Sequence, residues 1–284
     1  MSFSEKQIEV EFALASGEFE GGGNSATISG LRCQAQIEST YGPSQSQMAL
    51  AIYGMPLAMM NQLATVGTQW SAMYLNGIKV SAGDDDGMSL VFTGLIYSAF
   101  VDANQMPEVA FRILASPGSY QNVKPVDPVS INGAANAADL LKQLAGQMGL
   151  DFQNQGVTAQ LADPYYYGSA WSIAQEIADH AHISMTIDRG LMVITPANAS
   201  RQDQAVAVGP TTGLVGYPSF AQNGVVLRTQ FNPNILVNGL VDVSSSLTAA
   251  RGKWKVYRID SDLESITPGG SWFQTVYAIS PDAP

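Results

Sequence analysis

Hydrophobic and polar residues alternate through the first part of the chain. Ile8, Val10, Phe12 and Leu14 are separated by mostly polar neighbours, the two-residue period of a half-buried strand. Gly21-Gly22-Gly23 interrupts the pattern as a flexible connection. Ala26-Thr27-Ile28-Ser29 resumes it, and Cys33, Ala35 and Ile37 alternate again before a short apolar run at residues 48–53. Pro56 suits a first helical turn, and Leu57, Met60, Leu63 and Ala64 share one face, which predicts a short helix. Asn76-Gly77 between Tyr74-Leu75 and Ile78-Lys79-Val80 predicts a hairpin. Asp84-Asp85-Asp86-Gly87 predicts a turn into a strand over residues 89–102, and Val109, Phe111 and Ile113 predict another over 107–116.

The period changes after Pro117. Residues 119–128 carry Pro125 and Pro128 and lack periodicity, so they read as a linker. Leu140, Leu141, Leu144 and Met148 then form one helical stripe, with Gly149 placed to cap it and a strand beginning at Leu150. Ile173, Ile177 and Ala181 repeat the stripe, followed by strands at 183–187 and 191–194 about a turn at Asp188-Arg189-Gly190. At an offset of 33, Leu140 falls on Ile173, Leu144 on Ile177, Leu150 on Ile183 and Phe152 on Met185. This is a small α+β domain of two degenerate halves, and two copies are too few for a solenoid. Strands follow at 224–231, 236–243, 255–261 and 272–279. The fold class is therefore mainly β with a small α+β insert, and the final β segment either continues the first domain or forms its own.

Composition narrows the function. The 284 residues include 24 acids and 13 bases, for a net charge of −11. That opposes a nucleic-acid-binding surface, which needs Lys and Arg to displace counterions. Only 13% of residues are charged, against roughly 25% in typical domains. Interfaces are depleted in charge, so the surface is either covered in use or simply built from neutral polar residues. The single cysteine excludes an internal disulfide and a cysteine-based zinc site. The polar opening residues and the absence of a long apolar run predict no secretory signal and no membrane anchor.

Candidate chemistry is thin. His180 and His182, with Glu176 one turn before His180, are the conceivable metal set, but the spacing is not HExxH, and His182 aligns with the helix-ending Gly149. No GxSxG is present. Cys33 sits in a strand pattern, where cysteine is a small buried hydrophobe. Gly21-Gly22-Gly23 lacks the Lys-Ser/Thr of a phosphate loop, and Asp84-Asp85-Asp86-Gly87 lacks the spaced ligands of a calcium loop. Tyr165-Tyr166-Tyr167 is either an exposed contact patch or a strand packed on the following helix, with packing favoured. No catalytic, cofactor-binding or metal residue is assigned.

The order of short motifs carries a resemblance. The strand Ile8-Glu9-Val10-Glu11-Phe12 precedes Ala26-Thr27-Ile28-Ser29-Gly30-Leu31-Arg32, then Ile52-Tyr53-Gly54-Met55 and Phe92-Thr93-Gly94-Leu95-Ile96. Gly168-Ser169, Ile187-Asp188-Arg189-Gly190 and Val193-Ile194-Thr195-Pro196 follow. Gly213-Leu214-Val215-Gly216-Tyr217-Pro218 and Gly269-Gly270-Ser271-Trp272 complete the series. This resembles the baseplate hub proteins of contractile-tailed phages, the late-control-protein-D-like family, related to the first half of type VI secretion spike proteins. The resemblance implies a non-enzymatic virion protein, without cofactors, assembled in the bacterial cytoplasm. It implies a homotrimer in which two tube-forming, β-barrel-like domains per subunit (residues 1–117 and 201–284) build a pseudo-six-fold ring, decorated by residues 118–200. The implied partners are the tail tube protein, the central spike protein and baseplate wedge or other tail proteins. Three copies would carry −33, and an acidic bore would not hold passing DNA. Another tail-tip adapter, such as a distal tail protein, or a cell-wall carbohydrate-active enzyme are the alternatives.

Overall fold

The computed structural model describes residues 5–41, 46–65, 75–117, 125–197, 199–201, 204–222 and 224–281. The first part contains β1 Gln7–Ala13, β2 Ser25–Ile28, β3 Cys33–Thr40, β4 Gln47–Tyr53, α1 Leu57–Leu63, β5 Gly77–Asp84, β6 Gly87–Gln105 and β7 Glu108–Ser116. The middle contains β8 Pro125–Ser130, β9 Ala134–Asn136, α2 Ala137–Gln147, β10 Asp151–Asn154, β11 Gln160–Ala162, β12 Tyr165–Ser169, α3 Ala170–His180, β13 Ile183–Asp188 and β14 Leu191–Pro196. The last part contains β15 Val206–Val208, β16 Ser219–Ala221, β17 Gly224–Gln230, β18 Leu240–Val243, a single 3-10 turn at Thr248–Ala250, β19 Gly252–Ser265 and β20 Trp272–Ile279.

The alternating strands of both ends join one 13-stranded sheet with the order β16-β17-β20-β19-β3-β4-β7-β6-β5-β1-β2, and β15 and β18 extend it beside β19. The chain is mainly β. The barrel-like form expected of each tube domain is not seen within one chain, because the sheet path is open, ending at β16 and β2. The join is made by β19, whose residues Arg258–Ser265 pair antiparallel with β3 from Thr40 back to Cys33. In β1, β4, β17 and β20 the large buried side chains fall on one face. Ile8, Val10 and Phe12 of β1, Met48, Leu50 and Ile52 of β4, and Leu227 and Val276 of β17 and β20 are all buried. Buried side chains form three clusters, drawn mainly from residues 8–115, 135–194 and 208–278. β19 serves two of them, giving Leu263 to the first and Val256 and Ile259 to the third.

In the middle segment the offset of 33 reaches backbone detail. Asn136 caps α2 by accepting from Ala138 N–H, and Ser169 caps α3 within a capping box. Met148 N–H donates to Leu144 O at 3.0 Å, and Ala181 N–H to Ile177 O at 3.0 Å. Gly149 and His182 follow with φ of 69° and 50°. The left-handed turn that glycine takes freely is forced on a histidine in the second copy. β10 and β13 flank β14, one parallel and one antiparallel, and α2 and α3 pack together on the inner side chains.

Three expectations change. Asn76-Gly77 makes no hairpin. Gly77 opens β5, whose two edges are taken by β1 and β6, while Asn76 Oδ1 accepts from Ala15 N–H. Non-local pairing on both sides outweighs the local turn preference, and Tyr74 lies outside the described residues. Within the expected linker, Pro125–Ser130 is the strand β8, paired with β12. Its prolines are tolerated because the strand is one edge of a two-stranded ribbon. In α1, Met60 and Leu63 are buried but Leu57 faces outward.

The middle segment is tied to the large sheet by buried polar contacts. Arg201 Nη1 lies 2.6 Å from Asp188 Oδ2 with both side chains largely buried. Arg189 donates to Pro233 O at 3.1 Å, and Asn238 Nδ2 donates to Thr195 Oγ1 at 3.3 Å. The Tyr41 hydroxyl is hydrogen-bonded to Ser184 Oγ. Removing one partner of a buried ion pair leaves the other charge uncompensated, at a cost of about 3–5 kcal/mol. Arg201→Ala is expected to lower stability by that order in urea unfolding; a loss under about 1 kcal/mol would show the pair to be solvated.

Candidate assembly surface

The large sheet contains the same four-stranded unit twice. Residues 33–116 supply the order β3-β4-β7-β6, and residues 219–279 supply β16-β17-β20-β19. In each unit the chain runs first, second, fourth, third across the sheet. The third strand of each carries a bulge at a matching place, between Ile96 and Ser98 in β6 and between Val256 and Arg258 in β19. The extra residue is a tyrosine in both, Tyr97 and Tyr257. A hydrogen bond beside the bulge is duplicated, from Ile96 N–H to Asn76 O at 2.8 Å and from Val256 N–H to Gly239 O at 2.9 Å. β5 and β18 then pair with the leading ends of β6 and β19. The bulge aims the strand away from that partner, because the added residue increases the local bend.

One face of this double unit is the core; the other is mostly polar, and no named element among the described residues covers it. The register places Ser98, Leu114, Ala49, Gln36, Asp262, Phe273 and Gln230 in one row across the strands. The next row on one side is Gln47, Glu38, Asp260, Thr275 and Arg228. Two adjoining hollows of about 420 and 200 Å³ lie along these rows and share Gln36, Ala49, Leu114 and Asp262. Arg258 links the units by contacting Asp260 at 2.7 Å and Glu38 at 3.3 Å, and these carboxylates raise its pKa further. Arg112 hydrogen-bonds Asp102 and holds that carboxyl below its usual range. Acidic side chains outnumber the arginines on this face, which opposes retention of a polyanion.

The residues singled out in the sequence do not converge. His180 Nδ1 is hydrogen-bonded to the Tyr166 hydroxyl at 3.0 Å, and His182 ends α3. Among the described residues no group of three His, Cys, Asp or Glu side chains is placed to hold a metal. Gly21-Gly22-Gly23 lies in a turn closed by Phe19 N–H to Gly23 O at 2.8 Å, far in character from a phosphate cradle. Asp84 accepts from Asp86 N–H and pairs with Lys6 at 2.6 Å, a hairpin turn between β5 and β6. The three tyrosines split by strand alternation: Tyr166 is buried against α3, whereas Tyr165 and Tyr167 are 65% and 71% exposed. The duplicated unit went unrecognised in the sequence. The two copies share little more than the bulge tyrosine: Ser98-Ala99-Phe100 follows Tyr97, whereas Arg258-Ile259-Asp260 follows Tyr257.

Cys33 is buried, and its backbone N–H donates to Ser265 Oγ at 3.2 Å. Desolvation pushes the thiol up to about 11, and the Ser265 hydroxyl offsets this only in part. A raised thiol pKa in the folded state means that the unfolded chain loses its proton first. The contribution is intact below about pH 9 and is lost as pH rises toward about 11. Over that window the stability of the natural chain is expected to fall more steeply than that of Cys33→Ala in urea titrations. Equal slopes would place the thiol in water.

The family model for baseplate hub gp41 matches residues 8–268. Among solved structures, the 43 kDa tail protein of prophage MuSo2 from Shewanella oneidensis is similar, with a TM-score of 0.65, 11% identity, and coverage of 99% of this chain and 98% of that one. A tail protein from Neisseria meningitidis gives a TM-score of 0.66 at 8% identity over 96% of both chains. An Escherichia coli type VI secretion component, described as similar to the T4 tail proteins gp27 and gp5, gives 0.57 at 8% identity over 88% of this chain and 74% of that one. At these identities the likeness is one of fold. No curated protein sequence is significantly similar. Because the family match spans nearly the whole duplicated sheet and the middle segment, the chain belongs to the baseplate hub gp41 family and is a structural protein of the phage tail baseplate.

Proposed function

We propose that the chain is a non-catalytic hub subunit, and that three copies close into a pseudo-six-fold ring joining the tail tube to the central spike. The duplicated four-stranded unit is the observation that carries this reading. Three chains with two equivalent units each present six, so a three-fold assembly can meet a six-fold tube on one side and a three-fold spike on the other. Residues 1–117 and 201–284 would be the tube domains, and residues 118–200, with their own buried cluster, the decoration.

Edge energetics support closure. An open sheet leaves unpaired backbone groups at its ends, which invite pairing with other chains. Pairing β16 with a neighbouring subunit would cover the open edge at that end of the sheet. The barrel expected from the resemblance then belongs to the trimer, not to one chain. In this arrangement the polar face of the sheet would line the bore and the apolar face would look away from it, into the cores the strands already form. The low charge content fits surfaces buried on assembly. Assembly in the host cytoplasm is consistent with a chain that uses its one cysteine as a buried hydrophobe.

Native mass measured across a range of concentrations is expected to give a trimer, and imaging an annulus with six similar lobes. A two-fold dimer, or a monomer at every concentration, would overturn the ring. Lack of catalysis is checked separately: the purified chain is expected to leave peptidoglycan gels unclear, and a lytic band would contradict the structural reading.

A further inference from the structure

The junction between the two units inside one chain is a template for the junction between chains. Within the chain, the third strand of the second unit, β19, pairs with the first strand of the first unit, β3. The strand equivalent to β19 in the first unit is β6, and the strand equivalent to β3 in the second unit is β16. These are the two strands at which the double unit stops.

The open edge of β6 is in the corresponding place. Leu95 pairs with both Gly77 of β5 and Ser116 of β7, so these partners lie on opposite edges. Lys255 does the same in β19, pairing with Leu240 of β18 and Ile279 of β20. Beyond the bulge, β3 follows β18 along the same edge of β19. Along the matching edge of β6, Thr65 exchanges hydrogen bonds with Ala99 at 2.8 and 2.9 Å. No partner strand among the described residues continues past it.

Register follows from the repeat. Tyr97 corresponds to Tyr257 at the bulge, so Val101 corresponds to Ser261. Ser98 leads through Leu114 to Ala49 and Gln36; Arg258 leads through Tyr277 to Val226 and Ser219. Gln36 therefore corresponds to Ser219, and Ile37 to Phe220. In the chain Ser261 faces Ile37.

We infer, building on the ring reading, that β6 of one subunit pairs antiparallel with β16 of the next, with Phe100 opposite Ala221, Val101 opposite Phe220 and Asp102 opposite Ser219. Val101 and Phe220 are 41% and 58% exposed, although their equivalents inside the chain lie on the core side of the sheet. Pairing places these two apolar side chains against each other, an aromatic beside a β-branched residue, which is a favourable cross-strand pair. No like charges meet in this register. Thr65 marks where the seam begins, since it already satisfies Ala99, and β16 ends at Ala221, one residue short of that position.

The test is a disulfide across the seam in the full chain, with Cys33→Ser as background. Paired antiparallel residues have Cα atoms about 4.5–5.5 Å apart, within disulfide reach. Val101→Cys combined with Phe220→Cys is expected to give a covalent trimer on oxidation, resolved on a non-reducing gel. Either single variant is expected to stay monomeric on that gel. Ala103→Cys with Phe220→Cys, two residues out of register, is expected to cross-link on the order of tenfold more slowly because its sulfurs start too far apart. Circular dichroism and native mass on the same samples establish that each variant folds and assembles. Native trimers that fail to cross-link at 101 and 220, or that link faster out of register, overturn the seam and leave the ring standing. Monomers at every concentration overturn both.

Discussion

The register of β19 against β3 is the constraint on which the rest depends. β19 pairs along both edges, with β18 and β3 on one side and β20 on the other, and it buries side chains in two of the three apolar clusters. A slip of one residue would turn Ile259 and Leu263 to the polar face and bring Asp260 and Asp262 into the core. Such a change costs far more than any loop can recover, so the first and last thirds of the chain have one way to meet. The bulge at Tyr257 is part of the same constraint. It lets one strand leave β18 and reach β3 without breaking the ladder.

With that join fixed, the middle segment has little freedom either. It leaves after β7 and returns before β15, between two units already held together by the sheet. Its own core is separate, and its contacts with the sheet are mostly polar: Asp188 with Arg201, Arg189 with Pro233, Asn238 with Thr195 and Tyr41 with Ser184. Polar docking of this kind fixes orientation more than it adds stability. The segment can thus be positioned accurately while leaving the sheet's own packing undisturbed.

Much of this was legible from sequence, and the misses have physical causes. Strands with strict alternation, such as β1, β3 and β7, were readable because one face is core and the other open. The helices α2 and α3 were readable from their stripes, and their kinship from residues 33 apart. Asn76-Gly77 misled because a hairpin preference worth little locally met two long-range partners for β5. β8 was hidden by its prolines, and β16 by its brevity and lack of buried side chains. The face that stands out as a surface is mostly Gln, Asp, Glu, Ser and Thr with a few apolar residues between them, which are ordinary one at a time. Only the register, a property of pairs far apart in sequence, assembles them into rows. Chemistry-bearing residues gave the opposite lesson, each taking a structural place: His180 bonds the Tyr166 hydroxyl, His182 makes the left-handed turn after α3, Cys33 is buried in the core and Asp84 pairs with Lys6.

The two kinds of junction in a closed ring would not be equally strong. Inside the chain, β19 and β3 share eight paired residues, whereas β16 is a strand of three. Strand hydrogen bonds run along the circumference, so outward pressure on the wall becomes hoop tension carried by those bonds in series. A chain of links in series would part at its weakest, and that would fall at β16, whose three-residue ladder to β17 is backed by the covalent chain and whose seam with the next subunit is not. Overloaded, the ring would come apart into folded protomers able to close again, and the covalently continuous eight-residue joint would be spared.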